Sequence, residues 1–198
     1  MLSTAGYLVG LGDIDAMDDL IIDFPLPTVS EMLDVTKSLN KTKSKIYFAG
    51  LEVDYGFVFE DACTQKQILE LEKSLGYELP SDYKQFLTCT NGLEFVSGHT
   101  TSRIFSFEEL CNVRGVYDWR IKEFLTIGTY AESSLDILID LTQRGSRNMY
   151  VVDTMADECF SRLNCDFRTF LDRFISTNGD TFWEWGAEKT NIKQSVFD

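Results

Sequence analysis

The chain has 198 residues, 44% of them hydrophobic and 13% aromatic, and carries 18 basic against 32 acidic side chains for a net charge of −14. That composition supports a packed core and excludes wholesale disorder, and the negative field opposes nucleic acid and anionic membranes while favouring a basic protein partner. No apolar run reaches the roughly 18–20 residues of a membrane helix. The apolar patch at residues 7–11 has no basic residue before it, which argues against a secretory signal. A soluble, cytoplasmic protein is the expectation, monomeric or weakly homo-oligomeric.

Residues 1–45 read as an acidic N-terminal extension with one helix packed on the domain, and residues 46–198 as the domain with a C-terminal tail. The first 36 residues contain no Lys, Arg or His but include Asp13, Asp15, Asp18, Asp19, Asp23, Glu31 and Asp34. Pro25 and Pro27 interrupt the chain, after which Thr28 or Ser30 can cap a helix bearing Val29, Met32, Leu33, Val35 and Leu39. Residues 46–49 and 56–59, aromatic and β-branched and bracketed by glycines, read as short strands.

Residues 64–92 predict two helices with a sharp joint. Thr64 and Gln67 form a capping box, and Ile68, Leu71 and Leu75 make an apolar stripe. Gly76 is placed for a left-handed stop. Pro80 opens the second helix, whose buried face is Tyr83, Phe86, Leu87 and Thr90, and Asn91-Gly92 ends it.

Strands follow at 93–96 and 103–107, separated by a polar loop at 97–102. Ser106 caps a brief helix at 107–111, and residues 124–128 read as another strand. Residues 135–141 alternate, with Asp136 and Asp140 turned away from an apolar face. A hairpin loop with Gly145 leads to a strand at 149–152. Phe167, Phe170, Leu171, Phe174 and Ile175 form a strongly amphipathic helix stopped at Asn178-Gly179, and the tail carries Phe182, Trp183 and Trp185. Strands enclosed by helices give an α+β domain around a largely antiparallel sheet.

Chemistry-bearing motifs are missing. His99 is the sole histidine and sits in a Gly/Ser/Thr-rich loop, with no nucleophile elbow elsewhere. Gly10 and Gly12 are too few for a dinucleotide fingerprint, and there is no phosphate loop. The clustered aspartates lack the glycine and terminal glutamate of a calcium loop. Cysteines 63, 89, 111, 159 and 165 are odd in number and lack C-x-x-C spacing, which makes them free thiols. The sequence therefore assigns no catalytic residue, metal or cofactor. Asp13, Asp15, Asp18 and Asp19 read either as a solubilising surface or as a patch that steers a cationic protein, and the aromatic loops Tyr117-Asp118-Trp119 and Tyr130-Ala131-Glu132 either as cover for a sheet edge or as contacts of a protein-binding surface.

Leu75-Gly76, Leu79-Pro80, Asp82-Tyr83-Lys84, Phe86-Leu87 and Asn91-Gly92, in this order and spacing, resemble the signature of the SUKH superfamily. The resemblance extends over residues 57–176, through Ile127-Gly128, residues 138–142 and the closing Phe167/Phe170/Leu171 helix. Residues 129–134 replace a Gly/Asp-rich turn frequent in the family. The resemblance implies a curved, mainly antiparallel sheet flanked by helices with no catalytic centre. It also implies a bacterial immunity protein that neutralises a toxin domain, often a nuclease, or a regulatory scaffold of the yeast cell-wall synthesis regulator type.

Overall fold

Among the described residues, every strand pairs with the strands next to it in sequence. The computed structural model describes residues 26–39, 44–98, 100–117, 123–130, 135–143, 147–153, 159–184 and 189–192. In it β1 (Ser44–Phe48), β2 (Leu51–Phe59), β3 (Leu93–Ser97), β4 (Thr100–Ile104), β5 (Phe124–Tyr130), β6 (Leu135–Asp140), β7 (Met149–Asp153), β8 (Cys159–Leu163) and β9 (Lys189–Ile192) form one antiparallel sheet in that order. The helices are α1 (Val29–Leu39), α2 (Gln65–Leu75), α3 (Ser81–Cys89), α4 (Phe107–Tyr117) and α5 (Phe167–Ser176). The architecture is α+β with an open antiparallel sheet flanked by helices, as the periodicity and the family resemblance lead one to expect.

The local chemistry of the two-helix unit acts as its sequence indicates. Thr64 Oγ accepts from the Gln67 N–H (3.3 Å) while Gln67 Oε1 accepts from the Thr64 N–H (2.9 Å), so α2 starts in a closed capping box. Gly76 stops it at φ 73°, ψ 12° and donates its N–H to Glu72 O, a conformation that costs a residue with a Cβ about 1 kcal/mol or more. The joint is then pinned by charge. Glu72 Oε1 accepts from the Leu79 N–H (2.9 Å) and lies 3.3 Å from Lys84 Nζ, which also reaches Glu78 at 2.7 Å. Lys84 of the Asp-Tyr-Lys triplet therefore fixes the angle between the helices.

α3 and α5 meet through rings. Tyr83 stacks on Phe86 and stands edge-on to Phe167 at 4.9 Å, and Phe167, Phe170 and Phe174 follow one another along α5. Phe174 reaches Phe57 on β2, and Phe170 reaches Phe182 and Trp183 in the 3₁₀ turn Phe182–Glu184. All of these are buried, and full burial of such a side chain is worth about 1.5–3 kcal/mol before entropy is subtracted. The Tyr83 hydroxyl, buried among them, has no hydrogen-bond partner among the described residues, and its burial pushes the phenol pKa far up, keeping it neutral. Asp82 beside it caps α5 across the chain: Oδ2 accepts from the Arg168 N–H (2.9 Å), while Asp166 Oδ1 accepts from the Thr169 N–H (2.8 Å). Helix α1 joins the same core through Val29, Met32 and Leu33. Lys37 Nζ donates to Cys89 O (2.7 Å) and lies 5.3 Å from the centre of the Phe59 ring.

Several expectations are corrected. Residues 100–102, read as part of a polar loop, belong to β4, where Ser102 is buried and donates to Gly179 O (3.0 Å). The strand read at 103–107 therefore ends at Ile104. Ser106 does cap α4, in a second capping box with Glu109, but the helix runs on to Tyr117. Strands β8 and β9 are additions to the reading. On β6, Ile137 and Ile139 face the core as alternation requires, yet Asp136 and Asp140 are only 4% and 6% exposed. The opposite face of the sheet is apolar here too, with Leu138, Tyr150, Val152 and Phe160 buried together and Phe124 against them. Asp140 is accommodated by bonds from the Thr142 N–H (2.9 Å) and hydroxyl (2.6 Å). His99, Gly145 and Trp185 lie outside the described residues, as does everything before residue 26.

Gly128 lies where the main chain of β4 leaves no room for a side chain. A Cβ there would stand 2.2 Å from Arg103 O, at the bulge where the β5–β6 register shifts between Thr126 and Gly128. Because the obstacle is main chain, Gly128→Ala is expected to cost about 1–3 kcal/mol or more, read by urea denaturation. A second outcome concerns Asp82, whose pKa is raised, first by burial, above the usual 3.8. The folded state therefore holds this proton more tightly than the unfolded chain, so the contribution of Asp82 to stability is fully present below 3.8 and falls as pH rises through the raised value. Wild-type stability measured against Asp82→Asn across mildly acidic pH should show that fall.

Candidate protein-binding site

Asn91 is the polar hub of the chain's best-marked turn. Its Oδ1 accepts from the Phe107 N–H, the first of α4 (2.6 Å), and from the Cys63 thiol (3.1 Å); its Nδ2 donates to Glu108 Oε2 (3.0 Å); and its own N–H donates to Asp61 O (3.0 Å). Thr90 Oγ lies 3.0 Å from Glu60 O and 2.7 Å from Gly92 O. Gly92, at φ 109°, leaves a Cβ only 3.2 Å from Ile104 O and Ser106 N. Residues 90–92 thus clamp the end of β2, the start of α2 and the start of α4 into one corner.

Carboxylates gather at that corner. Glu60 and Asp61 leave β2, Glu94 lies on β3, and Glu108 and Glu109 open α4, where a helix N-terminus favours negative charge. Burial raises the Glu60 pKa first, and Glu109, Glu108 and Glu94 raise it further. Val58, Glu94 and Arg103 stand in register across β2, β3 and β4. Leu93 and Phe95 face the core from the opposite side of β3, so Val58, Glu94 and Arg103 lie on the outer face of the sheet. Arg103 Nη1 pairs with Glu109 (2.9 Å) and its guanidinium sits 5.4 Å from the Phe105 ring. The result is an outer face on which half-exposed Val58 stands beside Glu94, with Arg103 and its Glu109 partner next in the row. Among the described residues, no group of three or more His, Cys, Asp or Glu is placed to hold a metal ion. Cys63 is buried, and burial followed by Glu108 and Glu60 pushes its thiol up to about 11, which leaves it protonated and unreactive at neutral pH. A cleft of about 170 Å³ between Glu78, Leu79, Pro80 and Ser81 on one side and Leu141 and Gln143 on the other is smaller than the roughly 300–1,000 Å³ of usual small-molecule sites.

The structure separates the contacts named from sequence. Asp13, Asp15, Asp18, Asp19, Asp118, Trp119 and Glu132 lie outside the described residues. Tyr117 is the last residue of α4 rather than part of a loop. Tyr130 is the last residue of β5. Its hydroxyl bonds Asp180 (3.1 Å) and its ring stands edge-on to Trp183 at 5.8 Å, so it fastens the sheet to the segment after α5. The family residues Leu75, Gly76, Leu79, Pro80, Tyr83, Phe86, Leu87, Asn91 and Gly92 all serve the joint, the core or the corner. The acidic corner was missed because its members are far apart in sequence. The local signals were the Glu60-Asp61 and Glu108-Glu109 doublets, each just before or inside a capped helix start.

Residues 62–173, more than half of the chain, match the model of the SMI1 / KNR4 family (SUKH-1). The chain is 30% identical over 132 residues to the uncharacterized protein YnaB of Bacillus subtilis (strain 168), covering 66% of this chain and 89% of that one. It is 31% identical over 137 residues to the uncharacterized protein YobM of the same organism, covering 64% and 72%. No helix among the described residues is long and apolar enough to cross a membrane.

Replacing the hub separates its roles. Asn91→Ala leaves the Phe107 N–H and the Glu108 carboxylate without their partner and should cost about 1–3 kcal/mol in chemical denaturation. Asn91→Asp keeps an acceptor for Phe107 but sets a new carboxylate against Glu108, and its deficit should shrink as pH is lowered.

Proposed function

Because the chain belongs to the SMI1 / KNR4 family (SUKH-1), we propose that it is a non-catalytic, intracellular immunity-type protein that binds a basic toxin domain and blocks it. The observation that carries this reading is the convergence of Glu60, Glu94, Glu108 and Glu109 on the corner built by Asn91, on a chain whose net charge is −14. A nuclease recognises phosphates with cationic side chains. An acidic face that meets those cations first competes with nucleic acid and speeds encounter by long-range attraction. The four aspartates among residues 13–19 add to the chain's net negative charge. A protein that only occludes needs no nucleophile, general base or cofactor, and the reading assigns it none. The alternative, a regulatory scaffold module of the cell-wall synthesis regulator type, draws on the family name alone.

The test is co-expression with a toxin-like gene encoded beside this one. Neutralisation of that toxin, with a complex that co-purifies, is the expected result, and its absence for every neighbouring toxin sinks the reading. Reversing Glu60, Glu94 and Glu108 to Lys should slow association at least tenfold and flatten its dependence on salt, measured by stopped-flow or surface plasmon resonance. An unchanged association rate would move the binding face elsewhere.

A further inference from the structure

We infer that β1 is the seam of a weak homodimer, in which two copies of the chain join their sheets edge to edge through Ser44–Phe48. The hairpin β1–β2 projects past the rest of the sheet, since β3 pairs only with Tyr55–Phe59 and residues 51–54 are paired with β1 alone. The turn is tight, with Ala49 at φ 50° and Gly50 at φ 82°, a two-residue primed turn whose twist matches the strands. Among the described residues no strand pairs with the outer side of β1. That edge therefore offers backbone donors and acceptors to another strand, the situation that proteins ordinarily block with charge, proline or a bulge. None of these devices is used effectively here. β1 holds no proline, its register with β2 is unbroken, and its charged side chain, Lys45, is neutralised by Glu52.

The hairpin also carries apolar surface beyond the core. Leu51, Val53 and Tyr55 alternate on the side that Phe57 buries, and Ile46 pairs with Val53 on that side. Tyr55 still packs edge-on to Phe95 at 5.2 Å, but Leu51 is 60% exposed, and on the other face Tyr47 is 79% exposed.

A second copy fits this edge without conflict. A two-fold axis normal to the sheet keeps each face continuous, so each residue must meet a residue of the same face, and the axis must pass through a residue. An axis at Lys45 opposes two lysines and pairs fewer residues. An axis at Ile46 pairs all five, placing Ile46 beside Ile46 and Lys45 beside Tyr47. Across the four strands one face then reads Val53, Ile46, Ile46, Val53, an unbroken apolar row. The other reads Asp54, Lys45, Tyr47, Glu52, with the ammonium beside an aromatic ring and no like charges adjacent in the seam. A five-residue seam with this shelf falls below the roughly 1,200 Å² of standard interfaces, the range of weak, reversible association.

Sedimentation velocity of the whole chain over a wide dilution series tests this. A reversible monomer–dimer equilibrium is expected, with hydrogen exchange at residues 44–48 slowing as dimer forms. Tyr47→Lys sets Lys against Lys45 of the other copy and should weaken the dimer at least tenfold with unchanged thermal stability, because Tyr47 is exposed. Tyr47→Phe keeps a ring beside the same ammonium, adds no charge opposite Glu52 of its own hairpin, and should retain the dimer. A chain that is monomeric at every concentration overturns the proposal. So does a dimer indifferent to Tyr47→Lys, or exchange at 44–48 that slows only when a toxin domain is added to monomer.

Discussion

The contact between α3 and α5 is the constraint from which the rest follows. Tyr83 and Phe86 on one helix and Phe167, Phe170 and Phe174 on the other form a chain of rings that reaches the sheet at Phe57 and the 3₁₀ turn at Trp183. Ring packing alone tolerates sliding. The register is set by polar groups at its ends, where Asp82 from α3 accepts an α5 backbone N–H and Lys84 holds the α2–α3 joint to Glu72 and Glu78. Once α3 is fixed, its exit is fixed, and residues 90–92 must turn where Asn91 can reach α4.

That chain of dependence explains why residues typical of the family cluster in a unit that carries no reactive group. They position the acidic corner without belonging to it. Asn91 supplies the α4 N-terminus with its first acceptor and holds Glu108 outward, while Gly92 lets the turn pass close to Ile104 and Ser106. Glu60, Glu94 and the α4 acids line the corner so formed, and their side chains can change while the scaffold beneath them stays the same.

The helices were legible because their punctuation is local. A capping box, a left-handed glycine and a proline each act within four residues, so Thr64, Gly76 and Pro80 announce themselves in any fold. Most strands were legible as short aromatic and β-branched runs between turn residues, and β6 also from its alternation. β4 was hidden because Thr100, Thr101 and Ser102 look like loop residues, and only the fold reveals that Ser102 is buried against Gly179. β8 was hidden because Phe160 and Leu163 serve opposite apolar faces, which erases alternation. The acidic corner required topology, since pairing of β2, β3 and β4 brings residues 58, 94 and 103 into one row. Tyr130 reads as a loop residue because polar residues follow it, whereas the fold sets it at the end of β5 beside Asp180 and Trp183, which lie far along the chain.

The strictly sequential order of the sheet bears on how such a chain folds and diversifies. Each ladder closes with the next strand along the chain, some through tight turns and others across a helical connection, and the entropic cost of closure grows only slowly with length. Segments between strands can then lengthen, shorten or be replaced without re-threading the sheet. The stretches that carry α2–α3, α4 and α5 each bridge two strands that are already neighbours. Because α3 and α5 hold the ring-packed core, tolerance to such change falls on the short turns between strands rather than on those two helices.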